Sequence, residues 1–234
     1  MTSAAAALLL AGCSKLSGEI KTSHFMASSN YEELVVNDGF EVEFSDEASD
    51  LLITVDESLL SKVVVRERDG ELTIGLKPFT SAHGSPLKAV LPYNRNIDKI
   101  TLTGASVLRS ARPIEGEDLS FNLSGASQLE AELSADEIDM ELSGASVANV
   151  SGICTELDVE LSGASEIVSQ HDAHYRFAAG RAEGSMSGSS KMALHSDGNI
   201  DVRLSGASII RYTGDARTGG CTLSGGSSIV RDVF

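Results

Sequence analysis

A five-residue motif, Leu-Ser-Gly-Ala-Ser or a close variant, occurs seven times between residues 102 and 227. The copies occupy residues 102–106, 123–127, 142–146, 161–165, 186–190, 204–208 and 223–227. Their central glycines are separated by 21, 19, 19, 25, 18 and 19 residues. A period near 19 is too short for repeats of paired helices and is typical of one turn of a β-solenoid, in which each turn packs only on its neighbours.

Apolar residues recur at fixed distances from each of these glycines. Alternate residues of a strand face the same side, so residues repeated at one position should stack in a common core. Such columns lie four and two residues before each glycine and four residues after it. Between the strands, Ser-Gly-Ala is expected to form a tight corner, in which Gly permits an unusual φ and Ala fits a crowded inner edge. The serines are expected to form hydrogen-bonded ladders between repeats.

Residues 31–99 are also predicted to be β-structure, because short apolar or alternating runs are separated there by turn residues. Residues 40–44 alternate strictly, and turns of the Asp-Gly type follow residues 36 and 68. The predicted strands are 34–36, 40–44, 51–55, 63–67, 72–76 and 89–92, with a loop at 78–86.

The N-terminus carries the features of a lipoprotein signal. Residues 4–11 form an apolar run that is too short to span a bilayer and leads to Cys13. The sequence Leu-Ala-Gly-Cys, ending at Cys13, resembles the lipobox of bacterial lipoproteins, which implies cleavage before this cysteine and its acylation. Residues 1–12 are therefore predicted to be a signal peptide, and residues 13–30 a lipidated cysteine with a flexible tether. The mature protein would be anchored to the membrane rather than span it.

The charge of the chain limits its partners. It carries 18 basic and 34 acidic residues, a formal net charge of −16. Nucleic acids and anionic membrane surfaces are bound through clustered Lys and Arg, so this balance argues against both. Cations, basic proteins and neutral glycans remain possible partners. Alternatively, the charge only keeps the protein soluble.

The two cysteines beyond the signal, Cys154 and Cys221, lie in apolar segments several repeats apart. Because stacked repeats rise by about 4.8 Å each, this separation exceeds the reach of a disulfide. Both are predicted to be unpaired, small buried hydrophobic residues.

The lipobox, the strand-rich N-terminal part and the Ser-Gly-Ala-Ser corners together resemble the putative auto-transporter adhesin, head GIN domain family of bacterial lipoproteins. The resemblance covers approximately residues 30–230, and the repeats are its most specific part. It implies an all-β fold, a right-handed single-stranded parallel β-helix with coils of about 19 residues. Residues 100–234 would form this helix, and residues 31–99 either its first coils or a separate β layer. The family brings no catalytic residues to transfer.

Acidic residues are expected to stack on the outer face of the middle repeats. Asp139 and Asp158 lie five residues before their glycines, and Glu141 and Glu160 lie three before. Stacked repeats would place like charges about one strand spacing apart, which is destabilising unless it is screened. Ca²⁺ would relieve the repulsion through oxygen ligands, so the four residues are a candidate cation site. The alternative is a solvated acidic face, since the sequence lacks the nonapeptide of calcium-binding β-rolls.

The 25-residue step between two of the glycines must place extra residues outside the repeat. Insertions in repeat proteins emerge as loops, where binding residues are often found. The candidate ligand-binding residues of this insertion are His171, Asp172, His174, Tyr175 and Arg176. The histidines and the aspartate have the chemistry to ligate a transition metal, and the tyrosine and arginine to contact a glycan or a protein. An ordinary surface loop is the alternative.

These features predict a lipid-anchored protein of the bacterial cell envelope, facing the periplasm or the exterior, that acts as a non-catalytic binding or adhesion module without a cofactor. Its expected partners are the membrane, through the anchor, and a glycan or protein ligand; exposed solenoid ends would also permit self-association. One alternative is a lyase or glycosidase, because such enzymes also use β-helices. Another is a purely structural envelope protein. Convergence of the four stacked acids in a cleft would favour an enzyme, and a flat face a binding module.

Overall fold

The computed structural model describes residues 16–27, 30–169 and 176–233, and this part of the chain is all-β. The strands are β1 Ile20–Phe25, β2 Glu33–Val36, β3 Glu41–Ser45, β4 Leu51–Asp56, β5 Val63–Arg68, β6 Glu71–Leu76, β7 Lys88–Pro92, β8 Lys99–Leu102, β9 Val107–Ser110, β10 Ile114–Glu115, β11 Asp118–Leu123, β12 Gln128–Leu142, β13 Val147–Leu161, β14 Glu166–Ser169, β15 Phe177–Met186, β16 Lys191–His195, β17 Asn199–Leu204, β18 Ile209–Thr213, β19 Thr222–Leu223 and β20 Ser228–Arg231. A 3₁₀ helix, Glu57–Lys62, joins β4 to β5. Within the described ranges, no helix has the length and apolar character needed to cross a membrane.

Successive repeats are joined by two parallel ladders. The entry ladder precedes the corners and runs through β8, β11, the C-terminal halves of β12 and β13, β15, β17 and β19. The exit ladder follows the corners and runs through β9, the N-terminal halves of β12 and β13, β14, β16, β18 and β20. In both ladders equivalent residues of successive repeats are paired, so the glycine spacing sets the register.

The three apolar columns face inward, as the glycine alignment predicts. The column two residues before the glycine is at most 2% exposed at Leu102, Leu123, Leu142, Leu161, Met186 and Leu204. The column four residues after the glycine is equally buried from Leu108 to Ile210. These columns form a continuous core along the repeats, and burial of their apolar surface is the main source of stability.

The corner glycine is required by backbone geometry. Gly144 has a φ of +74°, and a Cβ atom there would lie 2.5 Å from the carbonyl oxygen of Gly125 in the preceding repeat. The amide of Ala145 donates to this same oxygen at 2.7 Å. A side chain at the glycine is therefore excluded twice, by the left-handed φ and by the close approach of the neighbouring backbone.

The last serine of each corner closes its own turn, and it is buried in the first six corners. Ser146 is fully buried, and its Oγ donates to the carbonyl oxygen of Ser143 at 2.8 Å. The equivalent bond recurs in the other six corners. Ser165 and Ser227 also donate to the previous repeat, at longer distances of 3.2 and 3.3 Å. The predicted serine ladder is thus secondary to hydrogen bonding within each corner.

The predicted place of the corner alanine on a crowded inner edge is wrong. Ala126, Ala145 and Ala164 are exposed at the tip of their corners. The reason is that the alanine amide, and not its side chain, faces the preceding repeat.

The strands predicted in residues 31–99 are confirmed as β2 to β7. β2 and β3 extend the two ladders, because they pair in parallel with β8 and β9. β6 and β7 pair in parallel with the other edges of β2 and β3. The spatial order thus differs from the chain order, since β2 and β3 lie between later strands. Antiparallel pairing of β5, β4 and β1 completes this end of the molecule.

The predicted flexible tether is wrong over Ile20–Phe25, which form β1 and pair with β4. Asp56, only 1% exposed, fixes the residues before this strand. Its carboxylate accepts hydrogen bonds from the amides of Ser17 and Gly18 at 3.0 and 2.7 Å, and from the Ser58 hydroxyl at 2.6 Å. Burial alone would raise the pKa of Asp56, but the hydrogen bonds from Ser58 and Ser17 together outweigh it and hold the pKa well below its usual range.

Both cysteines of the repeats are free, as predicted. Cys154 is buried in the core, and burial raises the pKa of its thiol to about 12. Cys221 is half-buried, and its Sγ donates to the carbonyl oxygen of Ile200 at 2.9 Å. In the last repeat the inner column is uncovered, so that Leu223 is 50% exposed.

Candidate binding surface

The outer side of the entry ladder carries a continuous acidic surface, here called the acidic face. It consists of Asp118, Glu137, Asp139, Glu141, Glu156, Asp158, Glu160, Glu183 and Asp201. These residues alternate along β11, β12, β13, β15 and β17 with the inward columns, so their side chains point away from the core. Asp139 is the direct partner of Asp158, and Glu141 of Glu160, which is the stacking predicted from the glycine spacing.

The acidic face is larger than the four residues predicted. Asp118, Glu137 and Glu156 form a further row seven residues before the glycines, and Glu183 extends the row of Asp139 and Asp158. Aligning the repeats on their glycines could have identified both the further row and Glu183, because these residues also recur at constant distances from the corners.

Crowding of like charges affects the protonation of the face. Partial burial raises the pKa of Asp139, and the neighbouring carboxylates of Asp158 and Asp118 raise it further. The pKa of Glu137 is also raised, first by desolvation and then by Asp118, Asp139 and other acids of the face. The ionised face therefore carries unfavourable free energy, as expected for like charges on adjacent strands.

Basic residues relieve the crowding at one edge of the face but not at its centre. Arg181 in β15 pairs with Glu156 at 3.3 Å and with Glu183. In the described part of the chain, no Lys or Arg lies within ion-pair distance of Asp139, Glu141, Asp158 or Glu160. The four central acids therefore have no ion pair with a described residue, and Arg203 lies beyond ion-pair distance in a hollow that it shares with Asp158 and Glu160.

The centre of the acidic face is open and shallow. A hollow of about 200 Å³ is lined there by Ser120, Asn122, Met140 and the four predicted acids. The outward positions of the five strands carry no aromatic side chain on which a sugar ring could stack. The four acids thus share one open surface, and the structure does not gather them in a deep cleft.

The candidate calcium site has no cluster of ligands in the structure. Across the ranges 16–27, 30–169 and 176–233, no group of three or more His, Cys, Asp or Glu side chains is placed to hold a metal ion.

The other predicted site residues are separate from the acidic face or lie outside the described residues. Cys13, His171, Asp172, His174 and Tyr175 all lie outside them. Arg176 is exposed, and its carbonyl oxygen accepts a hydrogen bond from the Gly152 amide at 2.9 Å. Its neighbours around a hollow of about 250 Å³ include Glu130 and Glu132, which do not belong to the acidic face.

Solved structures of bacterial proteins share this fold. A putative adhesin from Bacteroides fragilis aligns with a TM-score of 0.77 at 14% identity, over 92% of this chain and 98% of that one. A putative adhesin from Parabacteroides merdae gives 0.68 at 18% identity, over 93% and 98%. A protein described as a putative lipid binding protein from Parabacteroides distasonis gives 0.69 at 19% identity, also over 93% and 98%.

Comparison with curated proteins found no match. A family model does match, over residues 30–216, which include β2 to β18. The chain therefore belongs to the family described as putative auto-transporter adhesin, head GIN domain.

Proposed function

We propose that this protein is a non-catalytic adhesion module of the bacterial cell envelope, anchored by lipid at Cys13, and that it binds a cationic partner through the acidic face. Membership of an adhesin family supports a binding function. The observation that carries the choice of surface is the in-register stacking of Asp139 on Asp158 and of Glu141 on Glu160, without a basic side chain between them.

A rigid frame for this surface is part of the proposal. We propose that the repeats form a right-handed single-stranded parallel β-helix with coils of about 19 residues, continued by strands from residues 31–99. Parallel pairing of equivalent residues along both ladders supports it. In such a frame the acids are fixed by the backbone, so a partner can bind without ordering a loop.

Electrostatics favours a cationic partner. Repulsion among the central acids is present in the free protein and is relieved when positive groups of a partner approach. Complementary charge would also accelerate association at low salt. The open shape, without aromatic side chains at the outward positions of the five strands, suits a protein or glycan surface with basic groups better than the cleft of a glycosidase.

Display on cells tests the proposed function. Cells that carry the full chain should adhere to surfaces coated with a basic protein more strongly than cells without it. The acidic-face variant, Asp139→Asn, Glu141→Gln, Asp158→Asn and Glu160→Gln combined, should lose this adhesion at equal surface amounts. Cys13→Ser should release the protein from the membrane fraction. Adhesion that persists in the acidic-face variant, or release of reducing sugar from polysaccharides by the purified chain, would contradict the proposal.

A further inference from the structure

The loop between β6 and β7, residues 77–87, presents an aromatic side chain directly to solvent. Phe79 is fully exposed and has a φ of +63°. Both features are unfavourable for a bulky apolar residue, because the left-handed region is strained and the ring gains no burial. Such strain in an exposed loop is a reason to look for a function.

The loop lies beside the point where the chain enters the fold. The Ser85 hydroxyl accepts a hydrogen bond from the Asp56 amide at 2.9 Å, and the Asp56 carboxylate binds Ser17. A Cβ atom on Gly84 would lie 3.7 Å from Cδ1 of Leu16. Ile20, paired with Asp56 and 54% exposed, adds a second apolar side chain to this end.

The charge of this loop differs from that of the whole protein. Residues 77–87 contain Lys77 and His83 and no acidic residue, whereas the chain has a net charge of −16. Lys62 also lies beside the loop, because its carbonyl oxygen accepts a hydrogen bond from the Lys77 amide at 2.8 Å. The loop itself therefore carries no negative charge that would repel an anionic membrane surface.

Covalent reach brings this end to the bilayer if Cys13 carries lipid. The three residue steps from Cys13 to Leu16 span at most about 11 Å when fully extended. The polar layer of a bilayer is roughly 5–7 Å thick on each side of the hydrocarbon core. An anchor at Cys13 thus holds Leu16 within about 11 Å of the anchored cysteine, and Leu16 lies beside Gly84 of the loop.

We propose that Phe79 inserts into the lipid surface beside the anchor and that the 77–87 loop is a membrane-contact site. The inference rests on the proposed lipid anchor. Lys77 and the neighbouring Lys62 would face the phosphates of the headgroups while the ring enters the apolar boundary. The contact would orient the β1 and β4 end towards the membrane and leave the last repeat, with Leu223, facing away from it.

The absence of tryptophan from the chain allows a direct test. Phe79→Trp introduces a single tryptophan into the full, lipidated protein, and Thr80→Trp provides a second reporter in the same loop. Leu223→Trp is the matched control, since Leu223 is also an exposed apolar residue. The protein is reconstituted in vesicles of phosphatidylethanolamine and phosphatidylglycerol, with or without bromine on the acyl chains. We expect blue-shifted emission and strong quenching by brominated lipid for the loop reporters, and neither for the control.

The outcomes separate this inference from the proposed function. Detergent phase partition of the wild type and of Cys13→Ser reports on the anchor alone. If the wild type partitions as a lipoprotein while the loop reporters are quenched no more than the control, the membrane contact is overturned and the anchor stands. If neither protein enters the detergent phase, the anchor is overturned, and the membrane contact that rests on it is overturned as well.

Discussion

Asp139 and Asp158 are direct partners on adjacent parallel strands, so two carboxylates of like charge lie side by side on the outer surface. The register that places them there is the same one that stacks Met140 on Val159 in the core. Core packing therefore keeps the two carboxylates adjacent despite their repulsion, because a shift in register that separated them would also misalign the buried column.

Asp139→Asn is expected to stabilise the protein at neutral pH by about 0.5 kcal/mol, the scale of a like-charge pair on adjacent strands. The raised pKa of Asp139 gives the sign of the pH dependence. The ionised carboxylate costs stability, the cost is absent below the unfolded-state pKa, and it grows as the pH rises through the folded-state pKa. The gain should thus be present at pH 7 and vanish near pH 3, as measured by urea unfolding.

Glu132→Gln is the matched control for this prediction. Glu132 is exposed in the same strand, and its ladder partner is the neutral Ser151. Equal stabilisation by both substitutions would show that net charge, and not the stack, is responsible.

Gly144→Ala should destabilise the protein by about 2 kcal/mol more than Gly39→Ala, the scale of an overpacking clash. Both glycines have positive φ, +74° and +83°. A Cβ atom at Gly144 meets the Gly125 carbonyl oxygen, whereas at Gly39 there is no atom within 4 Å. Urea unfolding of the two variants separates the cost of φ from the cost of close approach, and equal losses would contradict the proposed role of the corner.

Asp56→Ala should release residues 16–25 from the fold without unfolding the repeats. Its carboxylate is the acceptor for Ser17 and Gly18, which hold the chain before β1. Hydrogen exchange should accelerate in β1 and remain slow in β12 and β13. Because the pKa of Asp56 is lowered, the wild-type attachment is present above the unfolded-state pKa and is lost only as the pH falls through the folded-state pKa. Unchanged exchange in β1 would contradict this role of Asp56.

Millimolar Ca²⁺ is expected to raise the unfolding temperature no more than Mg²⁺ at equal ionic strength. Both ions screen the acidic face, and the described residues contain no group of three side chains placed to hold a metal. Thermal unfolding in EDTA, Ca²⁺ and Mg²⁺ measures the difference. A rise specific to Ca²⁺ that is abolished by Asp158→Asn would instead establish a cation site.

The repeat part of the fold and the position of the acidic face are predictable from sequence. Constant spacing from the glycines determines which residues pair, so the inward columns and the Asp139 and Asp158 stack follow directly. The corner alanine could not be placed this way, because a backbone hydrogen bond decides which side of the corner faces the preceding repeat.

The N-terminal end is less predictable because contacts distant in sequence determine it. β2 lies between β6 and β8, and the alternation of its apolar and polar residues does not predict these two partners. The polar composition of the segment that forms β1 predicts a tether. The bonds that order this segment come from β4 and Asp56, about thirty residues later in the chain. Alternation predicts strands, but pairing order also depends on these long-range bonds.

Binding of the purified chain from Leu16 onward to an immobilised basic protein tests the choice of binding surface most directly. Three proteins are compared over a range of salt: wild type, the acidic-face variant, and a control with Gln at four exposed glutamates elsewhere, Glu43, Glu47, Glu115 and Glu132. The two variants lose the same number of charges. We expect salt-sensitive binding by the wild type and the control, and a loss of at least tenfold in affinity for the acidic-face variant. Equal losses in the two variants would show that only net charge matters and would contradict the acidic face as the binding surface.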